Sequence, residues 1–242
     1  MKKRLGVNID HVATVRNARG LLHQHPNPLL IAKHIIKCRA DSITIHLRED
    51  RRHIKDLDVV KICKDKNIPT NLEISLNNEI LNIALKNKPD FICIVPENRK
   101  EITTEGGLNI SKNKNKIANF ILKLKKRNIR TSLFIEPNLK NIKIAKKLNA
   151  DCIELHTGKI SDLVKNKKNY KNELKKIKKC CVLAKKIGID VHAGHGLDYM
   201  TTAILTKIVE INEFNIGHFI IGESLTNGLN KTIKKFKKIL NK

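Results

Sequence analysis

The stretch SITIHLR, residues 42–48, alternates without a break: Ile43, Ile45 and Leu47 fall on one side, Thr44, His46 and Arg48 on the other. Successive side chains of a strand point to opposite faces, so this strand has an apolar face and a face bearing a hydroxyl, an imidazole and a guanidinium. The same division recurs elsewhere in the chain. Asn8 and Asp10 oppose Val7 and Ile9, Asn71 and Glu73 oppose Leu72 and Ile74, and Cys152, Glu154 and His156 oppose Ile153 and Leu155. If helices cover the apolar faces, the polar faces converge, and burying so many charged groups without a function would be costly.

Outward from this stretch, short β-branched runs alternate with longer, Lys-rich amphipathic segments. The expected strands are Leu5–Asp10, Ser42–Leu47, Thr70–Ile74, Phe91–Val95, Thr131–Ile135, Cys152–His156, Asp190–Ala193 and His218–Ile221. Helical spacing covers about 28–39, 57–66, 78–87, 113–127, 138–148, 171–187, 198–210 and 224–240. Eight strands each followed by a helix is the count of an α/β fold of the (β/α)8 TIM-barrel type, and 242 residues suit one such barrel. A doubly wound sheet would carry a Gly-rich fingerprint after an early strand, and none is present. No linker or low-complexity run divides the chain, so 1–242 reads as a single domain. Two stretches exceed a minimal barrel, 97–112 with its TTEGGL and 158–170; both are expected to be long loops at the catalytic face.

The formal charge of +26 invites a nucleic-acid reading. The lysines are nevertheless spread over nearly every expected helix, and two tyrosines without any tryptophan leave little to stack on bases. Solvated helix faces are the better reading, with no nucleic-acid partner. The longest apolar runs are strand-sized against the ~20 residues of a membrane span, so no membrane partner is expected. The N-terminus meets Asn8 and Asp10 too soon for a signal-peptide core. A cytoplasmic protein follows. The six cysteines, at 38, 63, 93, 152, 180 and 181, form no CxxC pair and are expected to be reduced.

Active sites of barrels lie at strand C-terminal ends, and there stand general acids and bases, His46, Glu73 and His195, with the fixed cations Arg19 and Arg48. His23, His25 and His34 read as structural. Asp10 alone could be a turn residue, and Glu154 an ion-pair partner for Arg48. Combinations of His and carboxylate could hold zinc or iron, although nothing in their spacing requires a metal. Arg16 and Arg19 in RNARG, then Arg51, Arg52 and His53, are candidate anion ligands; GGL at 106–108, AGHGL at 193–197 and Gly222 supply backbone N–H groups. Two groupings suggest two phosphate-bearing ligands. Another phosphate-handling barrel, an aldolase or a sugar-phosphate isomerase, remains open, but a Schiff-base aldolase needs a lysine at a strand end and none is evident.

The segments GVNIDHVATVRNARG (6–20), ITIHLREDRRHI (43–54), NLEIS (71–75), VPENRKEITTEGGL (95–108), IELHTG (153–158), AGHGL (193–197) and NIGHFIIG (215–222) together resemble the pyridoxine 5′-phosphate synthases. The resemblance spans nearly the whole chain. It implies a TIM barrel with extra helices, assembling as a homo-octamer, and condensation of 3-amino-2-oxopropyl phosphate with 1-deoxy-D-xylulose 5-phosphate into pyridoxine 5′-phosphate, with no cofactor and no metal. By that resemblance His46 and Glu73 accept protons, His195 donates one and Glu154 stabilises a transition state. Asn8, Arg19, Gly196, Gly217 and His218 would hold the aminoketone phosphate; Asp10, His11, Arg48, His53 and Thr103 would hold the deoxyxylulose phosphate. Glu223 departs from the basic residue of some relatives, and the Lys/Asn-rich 158–170 is expected to touch no assigned catalytic residue.

Overall fold

The computed structural model of the protein describes residues 2–20, 24–97 and 106–241. Eight parallel strands close on themselves in chain order. They are β1 (Arg4–Asn8), β2 (Ser42–His46), β3 (Thr70–Ile74), β4 (Phe91–Ile94), β5 (Arg130–Ile135), β6 (Cys152–His156), β7 (Asp190–Gly194) and β8 (Ile211–Ile216). Closure is direct: Gly6 of β1 lies beside Ser42 of β2 on one side and Asn215 of β8 on the other. The helices among the described residues are α1 (Asp10–Asn17), α2 (Pro28–Lys37), α3 (Asp56–Lys64), α4 (Asn78–Asn87), α5 (Lys114–Lys125) and α6 (Leu139–Lys147). They continue with α7 (Gly158–Lys165), α8 (Lys171–Lys186), α9 (Tyr199–Leu205), α10 (His218–Asn227) and α11 (Leu229–Leu240). None of them is long and apolar enough to cross a membrane.

Helix starts follow from short polar caps. Asn27 accepts from the N–H groups of Leu29 and Leu30 with Pro28 opening α2, Asn77 and Asn138 do the same for α4 and α6, and Asp198 accepts from Thr201 N–H at 2.8 Å. Outward-facing strand residues such as Ile43, Ile45, Leu72, Ile74, Ile153 and Leu155 are fully buried under these helices. All six cysteines are buried and free. At the closing seam, Phe236 of α11 stacks with Tyr199 and Phe219, ring centroids 4.6 and 5.9 Å apart.

The barrel interior is unlike this shell. Interiors of such barrels are usually filled by branched aliphatic layers. Here, among the described residues, only Cys93, Val95 and Phe134 form a separate apolar cluster. Most of the other inward positions are polar, among them Thr44, Asn71, Ser132, Glu154, His192, Glu213 and Asn215, all buried. Two inward glycines make room. A Cβ on Gly6 would lie 2.0 Å from Asn215 Oδ1, and one on Gly194 would lie 2.0 Å from Glu154 Oε1.

Several sequence expectations are corrected. The eighth strand is Ile211–Ile216, and His218–Ile221 belongs to α10. The apolar HFII run drew the strand reading, whereas the true strand alternates and carries Glu213 and Asn215 inward. Gly228 then divides 224–240 into the end of α10 and α11, and α9 stops at Leu205. β1 ends at Asn8, and Asp10 opens α1, a helix that spacing did not show. The stretch 158–170 is not a long loop, since α7 occupies its first eight residues. Residues 98–105 of the other expected loop lie outside the described residues.

Phe236 is fully buried, so Phe236→Ala removes an aromatic ring with no water to replace it. We expect a loss of about 3–5 kcal/mol in urea denaturation with the barrel circular-dichroism spectrum retained. A loss below about 1 kcal/mol would mean that α11 does not seal the barrel as described.

Candidate active site

The strand C-terminal ends open into a cavity of about 690 Å³. On one side stands an Asp10-centred group. Asn8 Nδ2 donates to Asp10 Oδ2 at 2.8 Å, Asp10 N–H donates back to Asn8 Oδ1 at 2.9 Å, and His46 N–H donates to Asp10 Oδ1 at 2.8 Å. The aspartate therefore pins β1 to β2. Ile54 N–H donates to His53 Nδ1 at 2.9 Å, so that nitrogen carries no proton and His53 presents Nε2–H. His46 is sealed in, with its Nε2 unpartnered and 3.8 Å from Glu97 Oε2. Burial first, then the nearby His53 and Arg48, hold its pKa well below the ordinary imidazole value, so the ring is a neutral base. Buried Arg48 lies between Asp50 and Glu97, its Nε 3.6 and 3.7 Å from their oxygens.

The floor is a hydrogen-bonded chain. Asn71 Nδ2 donates to Thr44 Oγ1 at 3.4 Å, Thr44 Oγ1 donates to Asn215 Oδ1 at 3.4 Å, and Asn215 Nδ2 donates to Glu154 Oε2 at 2.6 Å. Burial pushes the Glu154 carboxyl up to about 8 against the opposing effect of the Asn215 bond. Glu73, whose Oε2 is 3.7 Å from His46 Nδ1, is raised well above the carboxylate range by burial and by Asp10 and Glu154. Like charges this close in a dry cavity do not ionise together. The site thus holds one carboxyl, Glu154, that keeps its proton near neutrality, a second, Glu73, shifted in the same direction, and a neutral imidazole.

The far wall centres on His195, whose backbone is held at φ +76°, a left-handed conformation. Thr157 secures it: its Oγ1 lies 2.7 Å from the carbonyl oxygens of both Gly194 and His195 and shares its single proton between them. Burial, then neighbouring His156, lowers the His195 pKa to about 4. Beside it lies the start of α10, whose N-cap Gly217 and first residues His218 and Phe219 line the cavity, and a helix start of this kind is suited to an anion. His11 and His218 cross edge to face at the mouth, centroids 5.0 Å apart.

Asn8, Asp10, His11, His46, Arg48, His53, Glu73, Glu154, His195, Gly196, Gly217 and His218 all line this cavity. Arg19 does not: it lies exposed just beyond α1. Thr103 lies outside the described residues. Arg16 is bound by both oxygens of Asp58 at 2.6 and 2.8 Å, and Arg51 by Asp56 and Glu79, so these two candidate anion ligands serve the loop after β2 instead. Glu154 pairs with Asn215 rather than Arg48. Gly222 sits inside α10, and the helix start is at Gly217. Glu223 is turned to Asn227.

Sequence reasoning missed Asn215, hidden by the misplaced eighth strand, and Lys165, which lines the cavity from a segment expected to touch no catalytic residue. Among the described residues, donor atoms of Asp10, His46 and His53 fall within 4.8 Å of one another. Two of the atoms there already accept backbone N–H groups, Asp10 Oδ1 and His53 Nδ1, which makes the group a poor fit for an ion. A second cleft, about 910 Å³, lies at the strand N-terminal ends between α2 and α11. Its lining includes Lys2, Lys37, Lys234 and Lys237 around Asp41, which is itself tied to Leu5 N–H and Lys237.

Comparison with known proteins supplies the lineage. The chain is 73% identical over 240 residues to the pyridoxine 5′-phosphate synthase of Pelagibacter ubique, covering 99% of this chain and 100% of that one. It is 47% identical to the enzyme of the same name from Zymomonas mobilis, covering 98% and 91%. Solved structures share the fold at low identity. Tryptophan synthase of M. tuberculosis aligns with TM-score 0.66 at 8% identity over 100% of this chain and 93% of that one. Phosphoribosylanthranilate isomerase of Thermotoga maritima aligns at 0.60 and 12% over 98% of each. Residues 5–242 match the family described as pyridoxal phosphate biosynthesis protein PdxJ, and the chain belongs to that family.

Proposed function

We propose that the protein condenses 3-amino-2-oxopropyl phosphate with 1-deoxy-D-xylulose 5-phosphate to give pyridoxine 5′-phosphate, phosphate and water. The observation that carries this reading is one cavity with an anion-receiving region at each side and proton-transfer groups between them. The α10 N-terminus with Gly196, Gly217 and His218 suits the aminoketone phosphate, with Asn8 beside it. Arg48 and His53, with Asp10 and His11, suit the second substrate; Arg48 is rigid, buried and always charged. Arg19 and Thr103 complete the two sets only if they reach the bound substrates. The 73% identity to the Pelagibacter synthase supports the same chemistry.

Joining an amine to a ketone, expelling water and phosphate and aromatising a ring require repeated proton transfer and no hydride transfer. His46, neutral because it is buried, is a proton acceptor from the outset. Glu73 becomes one when the substrate ammonium enters beside it, since the cation favours its ionised form. His195 starts neutral, and a phosphate dianion at the adjacent helix start draws a proton onto it, which equips it as donor. Glu154, still protonated at neutral pH, can donate a hydrogen bond to developing negative charge. We extend the reading to a cytoplasmic homo-octamer, supported by the free buried thiols and by the family; light scattering after gel filtration tests the assembly.

Purified protein stripped of metal and given both substrates should form pyridoxine 5′-phosphate and free phosphate in equal amounts. No product from folded protein with intact substrates would sink the reading. His195→Ala should lower kcat by about 10²–10⁴-fold without loss of fold, the usual contribution of a general acid; turnover like wild type would remove His195 from the mechanism. Because Glu154 acts in its protonated form, kcat should decline as pH rises through about 8. Glu154→Gln, uncharged at every pH, should abolish that decline in a pH–rate profile while keeping part of the activity; a limb that persists unchanged belongs to another group.

A further inference from the structure

His156 and Glu136 have no part in the chemistry above, yet they form the most directly bonded acid–base pair around the cavity. His156 Nδ1 lies 2.7 Å from Glu136 Oε1, and the same oxygen accepts the N–H of Gly107 at 3.0 Å. A carboxylate can only accept, so His156 carries its proton on Nδ1. The hydrogen bond holds the Glu136 carboxyl below its usual range, which keeps the pair's acidic member ionised. The other ring nitrogen, Nε2, is buried without a partner. That edge of the ring faces His195. The two imidazole centroids are 4.9 Å apart, and a Cβ on Gly158 would meet His156 Nε2 at 2.7 Å and His195 Cδ2 at 3.1 Å. Gly158 therefore exists as a gap through which the two rings touch. Phe134 also packs on His156, edge to face with centroids 5.4 Å apart.

We propose that Glu136 and His156 are positioning residues for His195: Glu136 fixes the tautomer and plane of His156, and the His156 ring sets the orientation and the charge of His195. An unpartnered buried nitrogen is unfavourable and persists where it has a use. Here it leaves a lone pair beside the imidazole that must gain and lose a proton, at one remove from the substrate. His195 is faced by four charged or titratable groups: His156 of β6, Glu136 after β5, and Asp162 and Lys165 of α7. Only His156 among them is in ring contact, and its influence on His195 is second to burial itself. The inference rests on the reading of His195 as proton donor, but its first test does not.

Two measurements with isotope-labelled histidine decide it. In the wild-type protein, nitrogen chemical shifts of His156 should report the Nδ1–H tautomer with Nε2 bare; an Nε2–H tautomer overturns the proposal whatever the enzyme makes. In His156→Gln, the His195 titration midpoint should move by about one unit, because the ring in contact with it is replaced by an amide that takes up no proton. An unmoved midpoint in the folded variant overturns the proposal, and if that variant does not fold, the tautomer measurement still stands. The His195-dependent limb of the kcat profile should move with the midpoint while KM changes less than about twofold. If the wild type forms no pyridoxine 5′-phosphate, the assigned reaction fails and the two NMR results keep their meaning.

Discussion

The hydrogen bond from Asn215 to Glu154, 2.6 Å long and closed to water, is the constraint on which the rest of the site depends. It places a carboxyl where burial keeps it protonated near neutrality, and it ends a chain of polar side chains that crosses the barrel from Asn71 through Thr44. A half-satisfied network of this kind would be worse than an apolar core. The interior is arranged to avoid that: inward glycines on β1 and β7 leave the volume that the Asn215 amide and the Glu154 carboxyl occupy. Backbone closure of the sheet and placement of the chemistry are consequently one problem rather than two.

The outer shell solves a different problem. Full burial of the outward strand residues under the helices gives a stiff wall, and the excess lysine lies on helix faces away from it. Cations close to the cavity are mostly spoken for. Arg16 and Arg51 hold the loop after β2 through carboxylates, which fixes where Arg48 and His53 stand. The positive charge that makes the composition unusual thus has little to do with the chemistry, and the site's electrostatics come from desolvation and from a few buried neighbours.

Much of this was legible in the sequence. Alternation in SITIHLR, NLEIS and CIELH gave strand positions and inward faces directly, because each strand has one apolar side pressed on helices. The eighth strand was not legible: INEFNI has fewer consecutive apolar residues than HFII, and only tertiary pairing with β7 and β1 makes it a strand. That single displacement concealed Asn215 and put the anion site read from strand ends at Gly222, while Gly217 came only from the resemblance. Helix α7 was obscured by its Lys/Asn-rich surroundings, although Ile160 and Val164 mark its buried stripe. Arg16 illustrates a different limit. Its spacing is that of an anion ligand, but a carboxylate 42 residues away in sequence claims it, and pairing over that distance has no local signature.

Gly6 is a vacancy in one strand occupied by a side chain from another. The Asn215 amide fills the volume where a Gly6 Cβ would stand, with a separation of only 2.0 Å, so a side chain at position 6 would displace the amide. In evolutionary terms the two positions, at opposite ends of the chain, share one allotment of space. A larger residue at position 6 becomes acceptable only after position 215 has shrunk, and that step releases Glu154 from its partner. The path between those sequences passes through a protein whose Glu154 has lost the amide that holds it in place, so drift at a residue with no functional group of its own is tied to chemistry performed elsewhere.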